Sequence, residues 1–129
     1  MKIIADTNIF LAVAMNEPEK AEIIERSTGC EIFAPEILPY EIGNALSAIV
    51  KRKQLTHIEA IDVLKIAQKI QYTLLRVDIR SSLELALRNN IYAYDAYFLQ
   101  SALSYNYPLF TLDGRMKSIA NKLGIALLE

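Results

Sequence analysis

The spacing of hydrophobic positions changes repeatedly along this chain, and each change marks a new element. Ile3-Ile4-Ala5 is a continuous apolar run with no polar stripe, the pattern of a strand buried on both faces, and it stops at Asp6. A helical pattern follows from Ile9. Asn16-Glu17-Pro18-Glu19 has the form of a helix start, with Asn16 as N-cap and Pro18 in the first turn, and Gly29 is expected to close that helix. Glu31 to Ala34 reads as a second strand, ended by Pro35. From Pro39 to about Lys53 the residues Ile42, Ala45, Leu46, Ile49 and Val50 recur on one helical face.

Thr56-His57-Ile58-Glu59 is a capping box opening another helix, which runs to about Ile70. Only a narrow line through Glu59, Asp62, Lys65 and Lys69 is polar there, so this helix should be covered on more than one side. With a short connection through Gln54-Leu55, it should form a hairpin with its predecessor. Its outer face is then a candidate contact for a second copy or a partner, with the interior of the monomer as the alternative. Leu74 to Asp78 reads as a third strand. Ser81-Ser82-Leu83-Glu84 is a further capping box, with Leu83, Ala86 and Leu87 as the buried face of a helix ending at Asn89-Asn90. A helix from Ala96 to Tyr105, a strand from Pro108 to Leu112, a short helix from Arg115 to Leu123 and a last strand over Ile125 to Leu128 complete the chain. Strands alternating with helices predict an α/β three-layer sandwich with a central, mostly parallel sheet. There is no internal repeat or linker, and 129 residues fit a single domain, 1–129.

Composition narrows the function classes. Hydrophobic residues make up 53% of the chain, enough for a substantial core, and mean hydropathy is +0.20. No apolar run approaches the roughly 18 residues of a membrane span, and no signal peptide is expected. Cys30 stands alone, which excludes an internal disulfide and a cysteine-based metal cluster and fits a reducing cytoplasm. The net charge of −1 supplies no general attraction for nucleic acid and leaves room only for a local basic patch.

The candidate chemistry lies in four acids. Asp6 and Asp113 close strands at their carboxyl ends, which in a parallel sheet share one edge, where ligands bind in open α/β folds. Asp95 falls near the start of one helix and Glu41 in the first turns of another, so both have a topological reason to approach that edge. Carboxylates packed together repel one another, and burial raises their pKa values, so such a cluster at neutral pH calls for cations. Oxygen ligands without Cys or His favour Mg²⁺ or Mn²⁺ over zinc. Two such ions about 4 Å apart can activate a water and stabilise a leaving oxygen at phosphorus. Asn8, Asn44 and Thr111 suit the supporting positions. On spacing alone a plainer account stands beside this one: Asp6 as an N-cap, Asp95 as a first-turn helix acid and Asp113 as the start of an Asp-Gly turn.

Asp6-Thr7-Asn8 after the first strand, Glu41-x-x-Asn44-Ala45-Leu46, Tyr94-Asp95-Ala96 and Thr111-Leu112-Asp113 follow one another in an order that resembles the PIN-domain family. The nearest resemblance is to the toxin ribonucleases of VapBC toxin–antitoxin systems, and it spans essentially the whole chain. It implies that Asp6, Glu41, Asp95 and Asp113 are metal ligands and catalytic, with Thr7, Asn8, Asn44 and Thr111 supporting them. It further implies a magnesium-dependent (or manganese-dependent) endoribonuclease, commonly a homodimer, held in check by an antitoxin protein. Met116 departs from the larger or aromatic residue common after the last acid, a difference of packing. Lys51, Arg52, Lys53, Arg115 and Lys117 are candidate RNA contacts, with solvated helix ends as the alternative. The tyrosines at 92, 94, 97, 105 and 107 can stack bases or pack against the protein. His57 lies in a capping turn and is not expected to act in catalysis.

Three other readings compete. A phosphatase of the haloacid-dehalogenase type wants a second Asp two residues after the first, where this chain has Asn8. A receiver domain wants paired acids after its first strand and a late strand-end Lys. A PIN-like module that binds RNA or protein without turnover needs none of the four acids, and all four are present.

Overall fold

The computed structural model describes residues Met1–Glu129. Four parallel strands, β1 (Lys2–Ala5), β2 (Glu31–Pro35), β3 (Thr73–Leu75) and β4 (Leu109–Phe110), form one sheet in the order β3-β2-β1-β4. Seven helices surround it: α1 (Thr7–Ala14), α2 (Lys20–Ser27), α3 (Leu38–Lys51), α4 (His57–Gln68), α5 (Ile79–Asn89), α6 (Ala93–Tyr105) and α7 (Gly114–Lys122). The first four pack among themselves. The last three do likewise, with α6 laid against β1, β2 and β4. This is the expected α/β sandwich. The apolar run of β1 is fully buried at Ile3, Ile4 and Ala5, as a strand covered on both faces must be.

The strand order fixes the functional edge. From β1 the chain steps outward through β2 to β3, then returns to place β4 on the other side of β1. The progression therefore reverses between β1 and β4, and in open α/β sheets a crevice opens at that switch point, beyond the carboxyl ends of the strands. The Asp6 amide donates to the Phe110 carbonyl at 3.2 Å, joining the exits of the two strands.

Several boundaries depart from the sequence pattern, each for a local reason. Asn16 ends α1 instead of opening α2. It takes a left-handed conformation (φ 56°), with its amide on the Val13 carbonyl and the Glu17 amide on the Ala12 carbonyl, a Schellman closure that asparagine tolerates. Helix α5 starts before the Ser81–Glu84 box, because Asp78 caps it through the Ser81 amide (3.4 Å) and hydroxyl (2.7 Å). Its buried face is Ser82, Leu85 and Ala86, while Leu83 and Leu87 are exposed. Ser82 is satisfied inside by donating to the Asp78 carbonyl at 2.8 Å, so a residue that reads as polar occupies an interior position. The third and fourth strands are shorter than predicted. Over Ile125–Leu128 only one parallel bridge forms, Leu109 to Leu127, so no fifth strand develops.

The α3–α4 hairpin is present, and the Thr56–Glu59 capping box closes at 2.9 and 3.1 Å. Helix α4 buries only Val63 and Ala67, against α1 and α3. Ile58, Ile61 and Ile66 remain in water, so the expected covering on more than one side is not provided within this chain.

Candidate metal centre

The switch point brings the four acids together. Asp6, Glu41, Asp95 and Asp113 line a single cleft of about 180 Å³, with Thr7, Asn8 and Asn44 on its walls. Ala45, Phe98 and Met116 supply its apolar surface. Phe98 is absent from the sequence reading, but it lies three residues after Asp95 on α6, just as Met116 follows Asp113 and Asn44 follows Glu41. The i, i+3 neighbour of each helical acid shares its face, and that spacing is the signal by which Phe98 can be found.

Each acid occupies the start of a helix. Asp6 is the N-cap of α1 and Asp113 the N-cap of α7, while Glu41 and Asp95 sit in the first turns of α3 and α6. The capping and functional accounts of these residues are thus compatible. Four helix N-termini point their partial positive charge at the same cleft, which offsets part of the mutual repulsion. Asp6 Oδ1 accepts from the Ile9 amide at 3.1 Å, and Asp113 Oδ1 from the Arg115 amide at 2.8 Å.

Hydroxyls orient the carboxylates. Thr111 is buried between two of them: its hydroxyl donates to Asp6 Oδ2 and accepts from the Asp113 amide at 3.0 Å. Thr7 donates to Glu41 Oε1 at 3.0 Å. Asn8 and Asn44 remain exposed, with their amides open to the cleft.

The electrostatics follow from this packing. The Asp6 carboxyl is raised to about 6, chiefly by burial, with the bonds from Thr111 and Ile9 opposing the rise and the charges of Asp113 and Asp95 adding to it. Glu41 is raised by burial, against the Thr7 bond, with Asp95 and Asp6 adding to the rise. Asp95, on the open side of the cleft, is raised by partial burial and by Asp113, and the Arg115 guanidinium opposes the shift.

The donor set fits a hard divalent cation: carboxylate and amide oxygens, with no thiolate or imidazole among the lining residues. No three of these side chains already close on one point as a ready-made cage. Mg²⁺ does not require one, since it keeps several waters and uses few carboxylates.

The basic candidates divide. Arg115 lies beside Asp95 in a second cavity that shares that acid with the cleft. Lys117 is half-buried in the first turn of α7 and lines neither cavity. Lys51, Arg52 and Lys53 are exposed at the far end of α3, about 15 Å along the helix axis from Glu41 at 1.5 Å per residue. Of the tyrosines, 94 packs on 97 and 105 on 107, whereas Tyr92 is exposed.

A family model described as PIN domain matches residues 3–122. Among solved structures, PAE2754 from Pyrobaculum aerophilum is similar with a TM-score of 0.70 at 21% identity, over 92% of this chain and 79% of its own. VapBC2 from Rickettsia felis, bound to a DNA fragment from their promoter, is similar with a TM-score of 0.69 at 18% identity, over 98% of this chain and 97% of its own. At these identities the likeness is one of fold. No curated protein sequence matches the chain.

Proposed function

This chain belongs to the PIN-domain family, and from that premise we propose that it is a divalent-cation-dependent endoribonuclease, the toxin of a VapBC-type toxin–antitoxin pair acting in the cytoplasm. PIN domains are generally nucleases, and the observation that carries the reading is the convergence of Asp6, Glu41, Asp95 and Asp113 on one cleft at the sheet's switch point. Those four acids would hold Mg²⁺ or Mn²⁺. The cation, when bound, supplies charge to activate a water and to stabilise the leaving oxygen of an in-line displacement at phosphorus.

The chain's own groups prepare the site. Thr111 fixes Asp6 and the backbone of Asp113 relative to each other, and Thr7 fixes Glu41, so three of the four acids are oriented before any ligand arrives. Near neutral pH, Asp6 sits above its midpoint of about 6 and is mostly ionised, ready to bind a cation. Phe98, Met116 and Ala45 keep part of the cleft surface apolar, which strengthens electrostatic interaction with a bound phosphate. Asn8 and Asn44 offer neutral donors to phosphate oxygens without adding negative charge.

Protein partners belong to the same proposal: an antitoxin and a second copy of this chain. Exposed Ile58, Ile61 and Ile66 on α4 favour partner contact, as does an apolar cavity of about 510 Å³ bordered by Ile37, Tyr40, Leu74 and Ile79. No helix is long and apolar enough to cross a membrane. The test is cleavage of structured RNA by protein purified free of any partner, with Mg²⁺, with Mn²⁺ and with chelator. Cleavage that needs the metal and is lost in Asp6→Asn is expected. Cleavage that persists in chelator rules out this mechanism, and a folded protein that cuts no RNA points to a binding module.

A further inference from the structure

Beside the acidic cleft lies a second cavity of about 330 Å³, lined by Asn90, Ile91, Tyr92, Asp95 and Arg115. Asp95 forms part of both walls, so the two cavities adjoin at that residue. We propose that the side pocket seats one nucleotide of the RNA next to the scissile phosphate, with Tyr92 stacked on its base and Arg115 holding its phosphate. This rests on the ribonuclease reading above and names how the substrate strand is gripped.

Arg115 is anchored, acts on Asp95 through its charge, and forms no ion pair. Its Nη2 donates to the Asn90 carbonyl at 2.8 Å, a neutral anchor presented where α5 ends in a left-handed turn at Asn90 (φ 52°). The ion pairs of this chain use Arg26, Arg80 and Arg88, and Arg115 takes part in none. A guanidinium carries five N–H donors, so the carbonyl leaves most of them for another acceptor. A cation held beside Asp95 without an ion pair to it is placed to receive the negative charge that the acids themselves repel. Forked donors suit phosphate oxygens.

Tyr92 supplies the second half. Of the seven tyrosines, five pack on another ring; Tyr40 and Tyr92 do not. Tyr92 is 84% exposed as the residue preceding α6, where its side chain makes no capping bond. A lone exposed aromatic is ordinary. An exposed ring sharing a pocket with an unpaired arginine, next to the candidate site of cleavage, has the parts of a single-strand platform: a cation for the backbone and a π-face for the base. Stacking tolerates any base, so the pocket is expected to grip the strand without reading its sequence.

The test measures kcat and KM for Mg²⁺-dependent cleavage of one single-stranded RNA by the wild type and by Tyr92→Ala, Tyr92→Phe, Arg115→Ala and Arg115→Lys. Folding is checked by circular dichroism. Stacking predicts that Tyr92→Ala raises KM roughly 5- to 100-fold with kcat nearly unchanged, and that Tyr92→Phe behaves as wild type. An abasic nucleotide scanned along the substrate should reproduce the loss at one position in the wild type and add nothing to it in Tyr92→Ala. Arg115→Ala should raise KM and lower the salt slope by about one phosphate contact, with partial rescue by Lys. If Tyr92→Ala and Arg115→Ala keep wild-type KM while the wild type cuts RNA, the side pocket is not a subsite and the nuclease reading stands. A Phe variant as impaired as the Ala variant overturns stacking, and a wild type that cuts no RNA overturns both.

Discussion

Both oxygens of Asp6 are engaged, Oδ1 by the Ile9 amide and Oδ2 by the Thr111 hydroxyl, yet burial still lifts the carboxyl to about 6. Without metal, the folded chain therefore takes up this proton more readily than the unfolded chain, whose reference value is 3.8. The associated stability is fully present below that reference and is lost as pH rises through about 6, a penalty on the order of 3 kcal/mol near neutrality. In chelator, the melting temperature of the wild type should fall between pH 4 and 7 relative to Asp6→Asn, which has no such proton to lose. Parallel curves for the two proteins would show that the carboxyl is not desolvated as described. Asp6→Asn is thus expected to be more stable than wild type at pH 7.5 and inactive, stability and function trading against each other at one residue. Thr111→Val removes the hydroxyl that serves both Asp6 and the Asp113 amide, leaving buried polar atoms without a partner. A destabilisation of about 1–3 kcal/mol is expected by denaturant titration, with activity down about ten- to a hundred-fold from disordered acids. Unchanged activity would mean that the hydroxyl does not position them.

At the scale of elements, what the sequence made legible and what it hid have separable causes. The apolar run of β1 and the capping box of α4 are local signals, and both elements form where those signals lie. Asp6 and Asp113 are legible at strand ends that share one edge of a parallel sheet, whereas Glu41 and Asp95 have only a topological reason to approach that edge and are singled out by the family resemblance. The strand order that makes β1 and β4 neighbours depends on long-range pairing, which no local pattern carries. Helix α5 shows how a plausible pattern misleads. Ser82 hides inside through a backbone bond, so the interior face passes through Ser82 and Leu85, and the leucines at 83 and 87 are turned to water. Leu85→Ala should cost about 2–5 kcal/mol in denaturant unfolding, against about 0.5 kcal/mol or less for Leu87→Ala. Equal costs would return α5 to the face that periodicity alone suggests.

For the molecule as a whole, one arrangement accounts for both the fold and the proposed chemistry. A parallel sheet whose order reverses between β1 and β4 opens a crevice, and helices starting at its rim carry an acid into it from four separate parts of the chain. The exposed isoleucines of α4 and the apolar cavity near Tyr40 lead us to expect association, with a mass near twice 14.6 kDa in sedimentation equilibrium at micromolar concentration. A strictly monomeric chain would remove the second copy from the proposal without touching the site. The acids themselves are best tested by calorimetric titration with Mn²⁺, which needs neither RNA nor an antitoxin. The account predicts binding at pH 7.5, weakened about ten-fold at about pH 5.0 where protons compete for Asp6, and lost in Asp6→Asn and Asp113→Asn. Mn²⁺ affinity that is the same in those two variants as in the wild type would contradict it.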